Sequence, residues 1–135
     1  MPEVLADYGY SDVVYKLLVQ PDRPSWMDML KGGATSISES WFGLDDPDGG
    51  VSMAHFSLGA ITGWFFEYLG GIRVNDSAPG LAHVVLKPHM LKEIGRFEAR
   101  YMTERGEIYT EWHFEGNKPI FNYKLPEGVT AEVIL

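Results

Sequence analysis

Apolar positions recur at two different spacings along this chain, and the change from one spacing to the other divides it. In the first half the spacing is helical. Residues Pro2 to Tyr10 read as the end of a helix stopping at Gly9, a natural C-cap position. Ser11 then caps a second helix, in which Val13, Val14, Leu17 and Leu18 form a buried stripe and Asp12 sits at the positive end of the dipole. Two helices joined this closely form an αα-hairpin. Pro21 and Pro24 close it, and a short helical turn follows from about Ser25 to Leu30, ended by Gly32 and Gly33.

Ala34 to Phe42 is poor in helix formers and rich in Ser and Thr, so it reads as extended or irregular. Alternation there places Ile37, Glu39 and Trp41 on one side, and Ser36, Ser38 and Ser40 on the other, free to satisfy neighbouring backbone groups. LDDPDGG reads as a surface loop. The next helix is predicted to start with Ser52 as N-cap, to carry His55 at its third position, and to end at Gly70 and Gly71. It is apolar nearly all round, which demands burial among other helices. The preceding hairpin and turn cannot cover that surface, so the helical part is expected to expose a broad apolar face and to be the last portion of a larger helical domain.

After Ile72 the period becomes two. NDSAPG is a turn-rich linker, Val84 to Leu86 a short strand stopped by Pro88. Phe97, Ala99 and Tyr101 alternate with charged residues, as do Ile108, Thr110, Trp112 and Phe114 with more polar ones. EGNKP is a hairpin turn between the latter and Phe121, Tyr123 and Leu125; Val129, Ala131, Val133 and Leu135 make the last strand. Short alternating strands with turns at roughly 8–12-residue intervals predict an antiparallel β-sandwich. The boundary falls near Arg73, giving a helical domain over 1–72 and a β-domain over 73–135.

Composition narrows the possible partners. The net charge of −8, with no Lys or Arg run, argues against nucleic acid. Without cysteine there are no disulfides and no thiolate metal sites. The apolar window Val51 to Ile72 contains Ser, His, Gly, Thr and Glu and so predicts a buried helix, not a membrane span. MPEVLADYGY carries acidic residues where a leader needs basic ones, which leads to the expectation of a cytoplasmic protein. Asn75-Asp76-Ser77 matches a glycosylation acceptor in form only.

Candidate chemistry concentrates between Gly32 and Gly70. One carboxylate, Glu39, lies on an irregular segment, and one histidine, His55, in the opening turn of a helix. By residue type alone Glu39 is a solvated charge, His55 a satisfied structural residue and Trp41 a packing side chain. Asp45, Asp46 and Asp48 lack the alternation and distal Glu of a calcium loop, and His83, His89 and His113 have no partners at metal-ligand spacing, so no metal and no cofactor are expected.

GGATSISESW, SMAHFSLGAITGWFFEYLGGIR and APGLAHVVLKP, in that order, resemble the C-terminal end of bacterial α-L-rhamnosidases, and LADYGYSDVVYKLLVQ with its following PSW also fits. The resemblance covers nearly the whole chain. It implies an α+β fold: the terminal helices of an incomplete (α/α) toroid of six hairpins, followed by an antiparallel β-sandwich. It further implies an inverting glycoside hydrolase, in which one carboxylate deprotonates water while a second carboxyl group, roughly 6.5–9.5 Å away, protonates the leaving oxygen.

On this resemblance the general base falls on Glu39, and the substrate-binding residues on His55, a sugar-contacting histidine, and Trp41, the aromatic two residues after the base. Relatives carry a bulky aromatic where this chain has Ser38, and an Asn where it has Ala54. The family's general acid lies upstream of the matching stretch. The implied partners are a rhamnose-containing glycoside and the upstream part of the same catalytic domain. Acid catalysis is worth ~10²–10⁴-fold, so the chain alone is expected to be nearly inactive. The competing expectation is a non-catalytic carbohydrate-binding or structural fragment.

Overall fold

The computed structural model describes residues 1–75 and 78–135. Asp76 and Ser77, and with them most of the acceptor triplet, lie outside the described residues. The architecture is α+β, and the chain divides into two compact units, Met1–Thr62 and Gly63–Leu135.

The first unit is helical. Helix α1 (Pro2–Asp7) ends in a Schellman motif, because Gly9 adopts φ +87° and so lets Tyr10 N–H reach the Leu5 carbonyl at 2.8 Å and Gly9 N–H reach Ala6 at 2.9 Å. Helix α2 (Ser11–Val19) follows at once, with Tyr10 rather than Ser11 at the N-cap. Of the predicted stripe Val14 is fully buried, while Val13 faces outward. Ser25 is a true cap for α3 (Trp26–Lys31): its Oγ accepts from Met27 N–H at 3.0 Å and donates to the Gln20 carbonyl at 2.6 Å. Trp26 then ties α3 to the next helix, its Nε1–H donating to the Leu58 carbonyl at 3.0 Å.

The single helix expected over 52–69 is three shorter pieces. These are α4 (Phe56–Gly59), α5 (Ile61–Trp64) and a π-helical turn over Phe65–Leu69, closed by Gly70 N–H on the Phe65 carbonyl at 2.8 Å. Gly59 and Gly63 weaken a helix that apolar composition alone would leave continuous. Val4, Tyr8, Tyr10, Leu30, Phe42 and Phe56 are all exposed in this unit.

The second unit is a pair of three-stranded sheets. One has the order β1 (Ile72–Val74), β2 (His83–Leu86), β6 (Thr130–Val133); the other runs β3 (Arg96–Thr103), β4 (Gly106–Glu115), β5 (Lys118–Lys124). Three of the four pairings are antiparallel, but β6 runs parallel to β2, with His83 opposite Thr130 and Leu86 opposite Val133. Alternation encodes which face a side chain takes and is silent on strand direction. Ile72, Val84 and Leu86 from one sheet meet Ala99 and Ile108 from the other in one core.

Strand β4 also pins the end of the π-turn. Thr110 Oγ1 donates to the Gly70 carbonyl at 2.8 Å, and Trp112 Nε1–H to the Leu69 carbonyl at 2.7 Å. Both donors are buried, so these bonds satisfy carbonyls that would otherwise be orphaned at a helix end. Gly70 has to be glycine here, since a Cβ would stand 2.8 Å from that of Ala99.

Candidate functional site

Two stretches without regular structure lie antiparallel in the helical unit and bring the sequence-predicted carboxylate and histidine together. Glu39 N–H donates to the Ser52 carbonyl at 2.8 Å, and His55 N–H to the Ile37 carbonyl at 2.9 Å. Ser36 Oγ adds a bond to the Met53 carbonyl. The acidic loop between them is held closed from within: Asp46 accepts from the Ser40 hydroxyl and from Asp48 N–H at 3.0 Å. These aspartates thus serve the loop, and among the described residues no acidic or histidine cluster could hold a metal ion.

The Glu39 carboxylate has two different oxygens. Oε2 accepts from the Ser52 backbone N–H at 3.1 Å; Oε1 stands 3.9 Å from His55 Nε2. That separation is beyond a direct hydrogen bond. Glu39 is 48 % exposed and His55 26 %, so the pair is open to a ligand from one side while its backbone is fixed. A carboxylate oxygen with free lone pairs, beside an imidazole nitrogen, can accept a proton from water or bind a hydroxyl.

His55 is not inside a helix. It has extended backbone (φ −134°, ψ 138°) and is itself the N-cap of α4, its Nδ1 accepting from Ser57 N–H at 3.2 Å. The expected cap, Ser52, lies three residues earlier and bonds locally to Ala54 instead. The cause is that an imidazole with a free Nδ1 caps as a Ser or Asn oxygen does, by accepting from the second helical N–H. The Phe56 ring stacks on the imidazole, centroids 4.6 Å apart and planes 25° off parallel, although Phe56 is 83 % exposed.

Trp41 goes elsewhere. Its ring meets Trp26 edge-on at 4.8 Å, and it lines a separate cleft of about 370 Å³ together with Ser36, Ser38, Met29 and Met53. The strict alternation expected over 34–42 therefore does not place Trp41 with Glu39, because the segment turns instead of extending. Ser38 is buried, with its Oγ bonded to the Ser40 carbonyl at 2.5 Å and 3.8 Å from Met29 Sδ.

Two contributors to the site escaped the sequence reading, Ser52 through its backbone N–H and Ser57 through the capping bond. A serine two residues after a histidine that precedes an apolar helix was the available signal for the second.

The profile of the bacterial alpha-L-rhamnosidase 6 hairpin glycosidase domain matches residues 1–69, and that of the bacterial alpha-L-rhamnosidase C-terminal domain matches residues 71–135. An alpha-L-rhamnosidase of Streptomyces avermitilis is 32 % identical over 139 residues, covering 96 % of this chain and 13 % of its own length. The solved structure of the alpha-L-rhamnosidase from Dictyoglumus thermophilum superposes with a TM-score of 0.84 at 31 % identity, covering 98 % of this chain and 15 % of that one. The Streptomyces avermitilis enzyme in complex with L-rhamnose does so with a TM-score of 0.81 at 30 % identity, covering 98 % and 13 %. The chain therefore spans only about one-seventh of the relatives it matches, and along nearly all of its own length it belongs to the bacterial α-L-rhamnosidase family.

Proposed function

We propose that this chain is the part of an α-L-rhamnosidase that carries the general base, and that it hydrolyses terminal α-L-rhamnosides only together with the rest of a six-hairpin domain. The supporting observation is the convergence of Glu39 Oε1 and His55 Nε2 to 3.9 Å on two backbone-bonded segments, in a stretch matched by the glycosidase profile.

In this reading Glu39 Oε1 takes a proton from water as the water oxygen attacks the anomeric carbon. The bond from that carbon to the leaving oxygen breaks, and the leaving oxygen receives a proton from a carboxylic acid supplied by another part of the enzyme. Ser52 N–H holds Oε2 so that Oε1 keeps its direction, and His55 holds the sugar. Trp41 supports the segment by packing edge-on against Trp26. Within the second unit, the bonds from Thr110 and Trp112 to the Gly70 and Leu69 carbonyls hold the end of the π-helical turn.

The test is stereochemical. Proton NMR of the first-formed rhamnose from the complete enzyme is expected to show the β-anomer. Retention as the α-anomer overturns the assignment of Glu39 as a base acting on water.

A further inference from the structure

The histidine beside Glu39 has its chemistry set from the side away from the carboxylate. Backbone N–H groups only donate, so the 3.2 Å bond from Ser57 N–H obliges His55 Nδ1 to be the acceptor. The Ser57 hydroxyl lies 3.0 Å from the same nitrogen and can donate into the same lone pair. A ring accepting at Nδ1 carries its proton on Nε2. The Phe56 ring stacks on the imidazole at 4.6 Å, and the His55 N–H to Ile37 bond of 2.9 Å fixes the His55 backbone.

We infer that Ser57 is a positioning residue, which locks His55 in its neutral Nε2–H tautomer so that a hydrogen-bond donor faces Glu39 Oε1 across a 3.9 Å gap. The 3.9 Å contact is then no ion pair: it is a donor and an acceptor side by side, complementary to a sugar hydroxyl, which accepts from Nε2–H and donates to Oε1. One oxygen at ordinary hydrogen-bond distance from both atoms fits that gap. Ser57 acts through the ring, by its two contacts with Nδ1. The consequence for recognition rests on the rhamnosidase reading, whereas the tautomer does not.

Nitrogen-15 NMR of the histidine rings in the chain itself tests it, at about pH 8, above the usual histidine range. His55 is expected to show an unprotonated Nδ1 and a protonated Nε2, with a smaller share of the Nδ1–H tautomer than the same chain unfolded in urea. Ser57→Ala is expected to raise that minor share by about 2–10-fold, the equilibrium worth of one ordinary hydrogen bond. Ser57→Thr, which keeps the hydroxyl, is expected to restore it, with the circular dichroism of all three unchanged. An Nδ1–H tautomer in the native chain, a ratio equal to that of the unfolded chain, or a ratio unmoved by Ser57→Ala overturns the inference. Its failure would leave the stereochemical outcome of hydrolysis untouched, so the two readings fail separately.

Discussion

Glu39 and Ser52 are joined twice across the acidic loop, by Glu39 N–H to the Ser52 carbonyl at 2.8 Å and by Ser52 N–H to Glu39 Oε2 at 3.1 Å. The second bond leaves one carboxylate oxygen for chemistry and fixes where it points. Its donor belongs to the backbone, so this bond survives any residue at position 52 that keeps the N–H, the Ser52 side chain bonding only to Ala54. Ser52→Ala is predicted to leave rhamnoside hydrolysis by the complete enzyme nearly unchanged. Ser52→Pro, which deletes the N–H, is predicted to lower kcat by up to ~10²-fold, the scale of a small misplacement of a reacting group. Equal rates for the two variants would show that the bond does not orient the carboxylate.

The bond from Trp112 Nε1–H to the Leu69 carbonyl, at 2.7 Å, is buried at both ends. Trp112→Phe keeps most of the ring and removes the donor, leaving a carbonyl without water or partner. Urea unfolding is predicted to show a loss of ~1–3 kcal/mol, the cost of a buried unsatisfied polar group. A change within the ~0.5 kcal/mol typical of exposed substitutions would mean the carbonyl finds another donor.

On the outer face of β3, β4 and β5, Tyr109 OH donates to Glu111 at 2.9 Å, and Asn122 Nδ2 to the same carboxylate at 3.1 Å. The Tyr109 bond, seconded by Asn122, holds the Glu111 carboxyl below its ordinary 4.5, and the same bond to Glu111 raises the Tyr109 phenol above 10.0. The signs are opposite in consequence. The Glu111 contribution to stability is present above 4.5 and is lost as pH falls through the lowered folded value, and that of Tyr109 is full below 10.0 and lost as pH rises through the raised one. In Tyr109→Phe, carboxyl NMR is predicted to show Glu111 titrating closer to 4.5. An unmoved titration would assign the shift to Asn122 instead.

The β-unit was the more legible half of the chain. Alternation through Phe97–Tyr101 and Ile108–Phe114 matches β3 and β4, and that through Phe121–Leu125 overlaps β5; Ala99, Ile108, Thr110 and Trp112 are buried, whereas Tyr101 and Tyr123 are exposed. Strand β1 escaped because Ile72–Val74 is too short to show a period. The parallel course of β6 escaped because period two carries no direction. In the helical unit the cap at Gly9 was readable as a residue type with a fixed conformational task, whereas Ser25, read as the start of its turn, is in fact its cap. The capping by His55 was not, as histidine rarely advertises itself as an acceptor. Glu39 and His55 were singled out by resemblance, but their approach depends on backbone bonds between 37–39 and 52–55, which no side-chain pattern records.

The account stands or falls on the Glu39 carboxylate, and Glu39→Gln isolates it. Glutamine keeps the shape and can still accept from Ser52 N–H, so the fold should survive with its unfolding midpoint essentially unchanged. The decisive measurement is the hydrolysis rate of an aryl α-L-rhamnoside by the complete enzyme carrying this substitution. A fall of about 10²–10⁴-fold, the usual worth of a general base, is the predicted result; turnover within about twofold of the parent enzyme would contradict it.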